Sequence, residues 1–111
     1  SKIYKSIHHL KDRIFDSNDL GKLSKELKDL ERKITLYHAK IIKEFKNENN
    51  NFIVGFHGQT IYHNSQEKIS MQLGDANLLN QLTNKNIVIG KIDRKKRITF
   101  EENNENLLIN K

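Results

Sequence analysis

Phe52-Ile53-Val54-Gly55-Phe56-His57-Gly58-Gln59-Thr60-Ile61-Tyr62-His63-Asn64 is the stretch whose reading decides the fold. It opens as a short apolar run and turns at His57-Gly58-Gln59-Thr60. After the polar residues 65–68 the chain resumes as Ile69-Ser70-Met71-Gln72-Leu73, followed by Gly74-Asp75. Residues 52–56 predict a strand by apolar content and β-propensity. Being apolar at nearly every position, that strand is expected to be buried on both faces, as in a parallel or mixed sheet. Residues 61–63 and 69–73 predict a hairpin. Ile69, Met71 and Leu73 alternate with Ser70 and Gln72, so one side of its second arm is wet. Asp75 is placed to cap a helix over 76–82, with Leu78, Leu79 and Leu82 as its inner face. Ile87-Val88-Ile89 is the next strand. Helix, strand, hairpin, helix, strand is an α/β order.

Two groups of polar residues leave these strands. His57, Gln59 and Thr60 leave the first around Gly58, and Gln72, Gly74 and Asp75 leave another. If the strands are neighbours, the groups converge on one side of the sheet. An apolar strand that delivers polar side chains into a glycine turn is a common way to present them to a ligand. Gln59 and Gln72 can each donate and accept, which suits hydroxyl or amide recognition. Asp75 can accept from a sugar hydroxyl or cap the helix that follows. His57 can act as an acid or base, yet nothing pairs with it at a diagnostic spacing. A plain structural turn explains the same residues equally well. The chain has no P-loop, dinucleotide glycine fingerprint, His-x-x-x-His pair or Ser/His/Asp order.

Upstream, Ile3, Ile7, Leu10 and Ile14 recur at helical spacing and predict a helix over 3–15, ended by Asp16-Ser17-Asn18-Asp19. His8 and His9 are neighbours about 100° apart around that helix, so they do not form a two-ligand metal site. Leu20, Leu23, Leu27, Leu30, Ile34, Tyr37 and Ile41, extended by Phe45, predict a second helix over 19–46. This stripe can be a coiled-coil dimer seam or the inner face of one amphipathic helix packed on its own domain. Its length is near the lower limit for a coiled coil, which favours the second. His38, beside the stripe, reads as a packed histidine. Residues 46–51, Lys-Asn-Glu-Asn-Asn-Asn, read as a loop.

Bulk properties bound what surrounds this unit. The 111 residues make one domain or part of one, and a hydrophobic content of 35% leaves a thin core. The chain is expected either to need a partner or to be a piece of something larger. With no cysteine, neither a disulfide nor a thiolate metal site is possible. No apolar run approaches a membrane span, so no membrane role is expected and a cytoplasmic location is the default. A net charge of +6 permits nucleic-acid binding. Lys, Asn and Ile are abundant throughout, however, and a solvated lysine-rich surface is the simpler account. Lys91, Arg94, Lys95, Lys96 and Arg97 form a basic cluster, residues 98–100 suit a short strand, and residues 101–106 are acidic and polar. Residues 91–111 therefore read as a divergent polar tail on a 1–90 unit, rather than as a nucleic-acid arm.

Residues 54–63, then Ile69-Ser70-Met71-Gln72-Leu73-Gly74-Asp75 and Leu78-Leu79, resemble the anhydro-N-acetylmuramic acid kinase family. That family carries a Gly-x-His-Gly-Gln-Thr strand-turn followed by a Gln-Leu-Gly-Asp type segment, a short helix and a strand. The resemblance runs over about residues 20–89. It implies a partial first lobe of a sugar-kinase, actin-like ATPase fold: two helices at 3–15 and 19–46, then a small mixed sheet over 52–89 with one short helix. It implies ATP and a magnesium ion, used to open the anhydro ring with water while phosphorylating the sugar to N-acetylmuramate 6-phosphate in cell-wall recycling. It also implies sugar contacts from His57, Gly58, Gln59, Thr60, Gln72 and Asp75, with no catalytic residue and no metal ligand among the residues matched. The family's Gly-Thr-Ser-x-Asp-Gly phosphate turn is missing, as is its general-base Gly-Phe-Asp segment. Gly90-Lys91-Ile92-Asp93-Arg94 stands where the family has Asp-Phe-Arg. Phosphoryl transfer depends on positioning and stabilising the phosphates. The expectation is therefore a fragment or remnant of such a kinase, inactive alone, with neither ATP nor magnesium expected to bind it and with the missing parts on a complementing chain. The alternatives are a helical module that dimerises through residues 20–41 and a small basic nucleic-acid binder.

Overall fold

The structure is a computed structural model that describes residues 2–45, 53–92 and 98–100, with side chains placed through Gly90. The loop expected at 46–51, Phe52, most of the basic cluster and residues 101–111 lie outside the described residues.

The apolar spacing of the N-terminal segment forms helix α1, Lys2–Lys11, which buries Ile7 and Leu10. It stops short of the expected residue 15. The Asp19 carboxylate accepts the backbone N–H groups of Phe15 at 2.8 Å and Asp16 at 3.3 Å, and Asp16 accepts that of Asn18 at 2.9 Å. Such short-range side-chain bonds compete with the helical ladder. The bond from Phe15 is also the main cause that holds the Asp19 carboxyl below its ordinary range.

One helix was expected over 19–46, and two are found. Helix α2, Asn18–Lys22, and helix α3, Ser24–Glu44, meet at Leu23, whose φ of −102° and ψ of 16° leave the helical region. Gly21, with no heavy atom near its Cα substituent position, weakens helix just before the kink. Leu23 itself is buried, so the kink turns the start of the stripe into the core rather than away from it.

Strands β1, Ile53–Phe56, β2, Gln59–Asn64, and β3, Ile69–Leu73, follow, then helix α4, Ala76–Thr83, and strands β4, Asn86–Ile92, and β5, Ile98–Phe100. β1 runs parallel to β4, with Val54 opposite Ile87, and β5 is antiparallel to β4. The sheet therefore continues past residue 90, and the short strand suggested at 98–100 is present. β2 and β3 form the expected hairpin as a separate two-stranded sheet. Its turn is closed by the Asn64 side chain, which accepts the N–H groups of Gln66 and Glu67. The strand at 53–56 was expected to be buried on both faces and is not. Ile53 is 55% exposed and only Phe56 is buried. Among the described residues β1 lies at an edge of its sheet with β4 alone beside it, and Phe56 packs with Ala39 of α3 and Leu79 of α4.

Two apolar clusters result. The first joins Ile7 and Leu10 of α1 and Leu23, Leu27, Leu30 and Ile34 to Ile61 and Leu73 of the hairpin. The second joins Ala39 of α3, Phe56, Leu79 and Ile87. Helix α3 belongs to both. The stripe is occupied by the chain's own core from Leu23 to Ile34, while Tyr37, Ile41 and Phe45, expected on the same inner face, are about half exposed. A dimer seam through Leu23 to Ile34 would have to open that core. Among the described residues, no helix is long and apolar enough to cross a membrane.

Candidate functional site

The two clusters meet where β1 passes into β2 and β3 passes into α4. Phe56 ends β1 inside the second cluster, and Leu73 ends β3 inside the first. Between them two glycines face each other. Gly58 has φ +69°, and a Cβ there would run into the carbonyl of Leu73. A Cβ on Gly74 would lie 2.7 Å from the Phe56 ring and 3.1 Å from the Gly58 Cα. Gly58 excludes a side chain because backbone lies directly on it, and Gly74 because the Phe56 ring does, with the Gly58 Cα close behind.

The bond from Gln72 closes this contact. Its Nε2 donates to the His57 carbonyl at 2.5 Å. In the hairpin register Gln59 is opposite Leu73 and Thr60 is opposite Gln72, with an irregularity between Thr60 and Tyr62. The extra residue there is Ile61, which is buried in the first cluster. His57, Gly58, Gln59, Thr60 and Gln72 are thus brought together, and Asp75 follows Gly74 at the edge of the group. The convergence does not come from β1 and β3 being neighbours in one sheet, since they belong to different sheets. It comes from the glycine-to-glycine approach.

Asp75 caps α4, accepting the Leu78 N–H at 3.0 Å. That cap uses one carboxylate oxygen, so the helix-capping reading of Asp75 is realised and one oxygen remains as an acceptor. His38 is packed, as expected: its ring meets Phe56 edge-to-face with centroids 5.3 Å apart. Its Nδ1 lies 2.8 Å from the Ile34 carbonyl, so in the tautomer that donates there Nε2 is the acceptor. Beside the site a cavity of about 350 Å³ opens between α1 and α3, lined by Tyr4, His8, Tyr37, His38 and Gln59 among others. Its size is within the range of small-molecule pockets.

Two residues that the sequence reading passed over hold the loop of this site. Thr35 of α3 is fully buried; its hydroxyl donates to the Glu31 carbonyl at 2.8 Å and accepts the Asp75 N–H at 2.9 Å. The Glu31 carboxylate accepts the Gly74 N–H at 3.0 Å. A signal was available: a threonine directly after Ile34, four residues from Glu31 and so on the same helix face, places polar groups beside an apolar stripe.

Farther along the hairpin, Glu67 accepts from the Tyr62 hydroxyl, and from Ser17 Oγ at 2.7 Å. The Tyr62 bond is the leading cause that lowers the Glu67 carboxyl and raises the Tyr62 phenol. This group ties the hairpin turn to the loop between α1 and α2. Among the described residues, no three His, Asp or Glu side chains gather as a metal ion would require. The arrangement offers hydrogen-bonding groups around a tight backbone turn, which suits recognition of a polyhydroxylated ligand.

A family model described as anhydro-N-acetylmuramic acid kinase matches residues 1–100. An anhydro-N-acetylmuramic acid kinase of Pelagibacter ubique is 56% identical over 88 residues, covering 78% of this chain and 24% of that protein. Proteins of the same name from Agrobacterium fabrum and Rhodopseudomonas palustris are 37% and 41% identical, covering 57% and 48% of this chain and 18% and 16% of their own lengths. The chain thus spans about a quarter or less of the curated relatives it matches. No solved structure matches it significantly. With its glycine-paired turns inside the matched residues, this chain belongs to the anhydro-N-acetylmuramic acid kinase family.

Proposed function

We propose that this chain is a segment of the first lobe of an anhydro-N-acetylmuramic acid kinase, and that its two apposed turns form part of the anhydro-sugar cleft. The observation that supports this is the Gly58–Gly74 approach closed by the Gln72 bond to the His57 carbonyl. It groups His57, Gly58, Gln59, Thr60 and Gln72, with Asp75 adjoining. Gln59 and Thr60 supply the outward hydrogen-bonding groups. Gln72 uses its amide N–H on the turn and keeps its carbonyl for a ligand. Asp75 supplies its second carboxylate oxygen.

The reaction proposed for the whole enzyme is water-assisted opening of the anhydro ring with phosphorylation of the sugar, carried out in the cytoplasm with ATP and magnesium. The sequence holds no phosphate-cradling glycine loop. We therefore assign these residues sugar binding and no step of phosphoryl transfer. The partner that suits this role is the remainder of the enzyme, on this chain or on a complementing one.

The test is a titration of anhydro-N-acetylmuramic acid into the isotope-labelled chain, followed by heteronuclear NMR. Shifts confined to residues 57–60 and 72–75 are expected. A dispersed spectrum that the sugar leaves unchanged at those residues would overturn the reading.

A further inference from the structure

We infer that Thr35 and Glu31 are positioning residues for the sugar site, acting through the Gly74–Asp75 loop; this rests on the cleft reading above. Neither touches the proposed cleft residues' outward groups. Both instead grip the backbone of the loop that carries them. The Asp75 N–H donates to Thr35 Oγ1 at 2.9 Å and the Gly74 N–H to Glu31 Oε2 at 3.0 Å.

The grip is long-range. It joins residues 40 and 43 positions apart in the chain, whereas the Asp75 cap on α4 is local. A cap fixes the loop relative to α4 only. The bonds from α3 fix it relative to the helix that also packs Phe56, through Ala39, and the hairpin, through Ile34. Gly74 is the residue that must sit 3.1 Å from the Gly58 Cα, measured from its would-be Cβ. Loosening its N–H anchor therefore moves one wall of the cleft against the other.

The Thr35 hydroxyl is suited to this. Its single proton is committed to the Glu31 carbonyl at 2.8 Å, so its lone pair is held toward the Asp75 N–H. Its side chain is fully buried, and water does not replace the bond when the hydroxyl is removed. One helix turn separates the two anchors, so they act on adjacent amides together.

The experiment compares Thr35→Val with Thr35→Ser in the full chain, reading sugar affinity, amide exchange at Gly74 and Asp75, and Tm. Valine keeps the buried volume and removes the hydroxyl; serine does the reverse. Positioning predicts that Thr35→Val speeds Asp75 exchange and weakens anhydro-sugar binding about tenfold, and that Thr35→Ser restores both although its lost methyl lowers Tm. Affinity that follows Tm rather than the hydroxyl would overturn the inference, as would faster exchange with unchanged affinity. If Thr35→Val does not fold, Glu31→Ala and Glu31→Gln decide. Alanine should free the Gly74 amide and weaken binding, and glutamine, which keeps an acceptor oxygen, should do neither; equal behaviour of the two would overturn the inference. Absence of binding by the unaltered chain would sink the cleft reading instead. In that case Asp75 exchange that rises in Thr35→Val and recovers in Thr35→Ser would still support the grip, and unchanged exchange would overturn it.

Discussion

The two apolar clusters of this chain differ in size among the described residues. The first, around Leu27, Leu30 and Ile34, is covered by α1 on one side and the hairpin on the other. The second, around Phe56, Leu79 and Ile87, has fewer buried members, and Ile42, Val54, Ala76 and Leu82 packed against it are only partly buried. The first is a core in its own right. The second is a smaller patch between α3, α4 and the sheet. The candidate site lies between them, so its geometry depends on a larger core holding a smaller one in register.

Substitutions can break this contrast at the joint. Gly58→Ala should have the largest effect, about 4 kcal/mol of destabilisation, because it combines a left-handed φ with a clash against backbone that has nowhere to move. Chemical denaturation of the variant checks it. A loss under about 1 kcal/mol would mean that the two turns are not tightly apposed. Within the larger cluster Leu27→Ala should cost about 3 kcal/mol, as a fully buried leucine does. At the exposed start of β1, Ile53→Ala should change stability by less than about 0.5 kcal/mol. Equal losses at Leu27 and Ile53 in the same unfolding series would erase the distinction between the buried core and the exposed strand start.

Removing the cap with Asp75→Ala should cost about 1 kcal/mol and fray α4, read by amide exchange at Leu78. The smallest effect concerns acid. Asp19 and Glu67 both titrate below their ordinary ranges in the folded chain. Their contribution is present above the ordinary carboxylate range and is lost as pH falls through the depressed values. Glu67 is exposed and Asp19 is only partly buried, so the change in Tm is small, and Glu67→Gln should remove part of it. A Tm that rises on acidification through that window would contradict the sign.

Much of the fold was legible along the chain. The stripe from Leu23 to Ile34, the hairpin at 61–73 and the Asp75 cap all follow from side-chain periods and short-range hydrogen bonds, which sequence spacing records directly. Other features were not. The kink at Leu23 sits inside an unbroken apolar period, and only the backbone turning there reveals it. The apolar composition of residues 53–56 reads as a strand buried on both faces. Whether both faces are covered depends on what packs above and below the sheet, which residues 52–56 do not record. Gly58, Gln59, Thr60 and Gln72 were legible as a group, but Thr35 and Glu31 read as ordinary helix positions until the loop closed on them.

By itself the sequence determined the elements, the amphipathic face of the long helix, the turn residues and the family, because periodicity and local motifs are carried by neighbours a few positions apart. Only the tertiary structure decided that two turns press glycine on glycine and that α3 grips the loop behind them. The grip joins residues 43 and 40 positions apart along the chain, and the glycine contact joins two different loops. What selects them is packing and the need to pair buried backbone N–H groups, which no local pattern encodes.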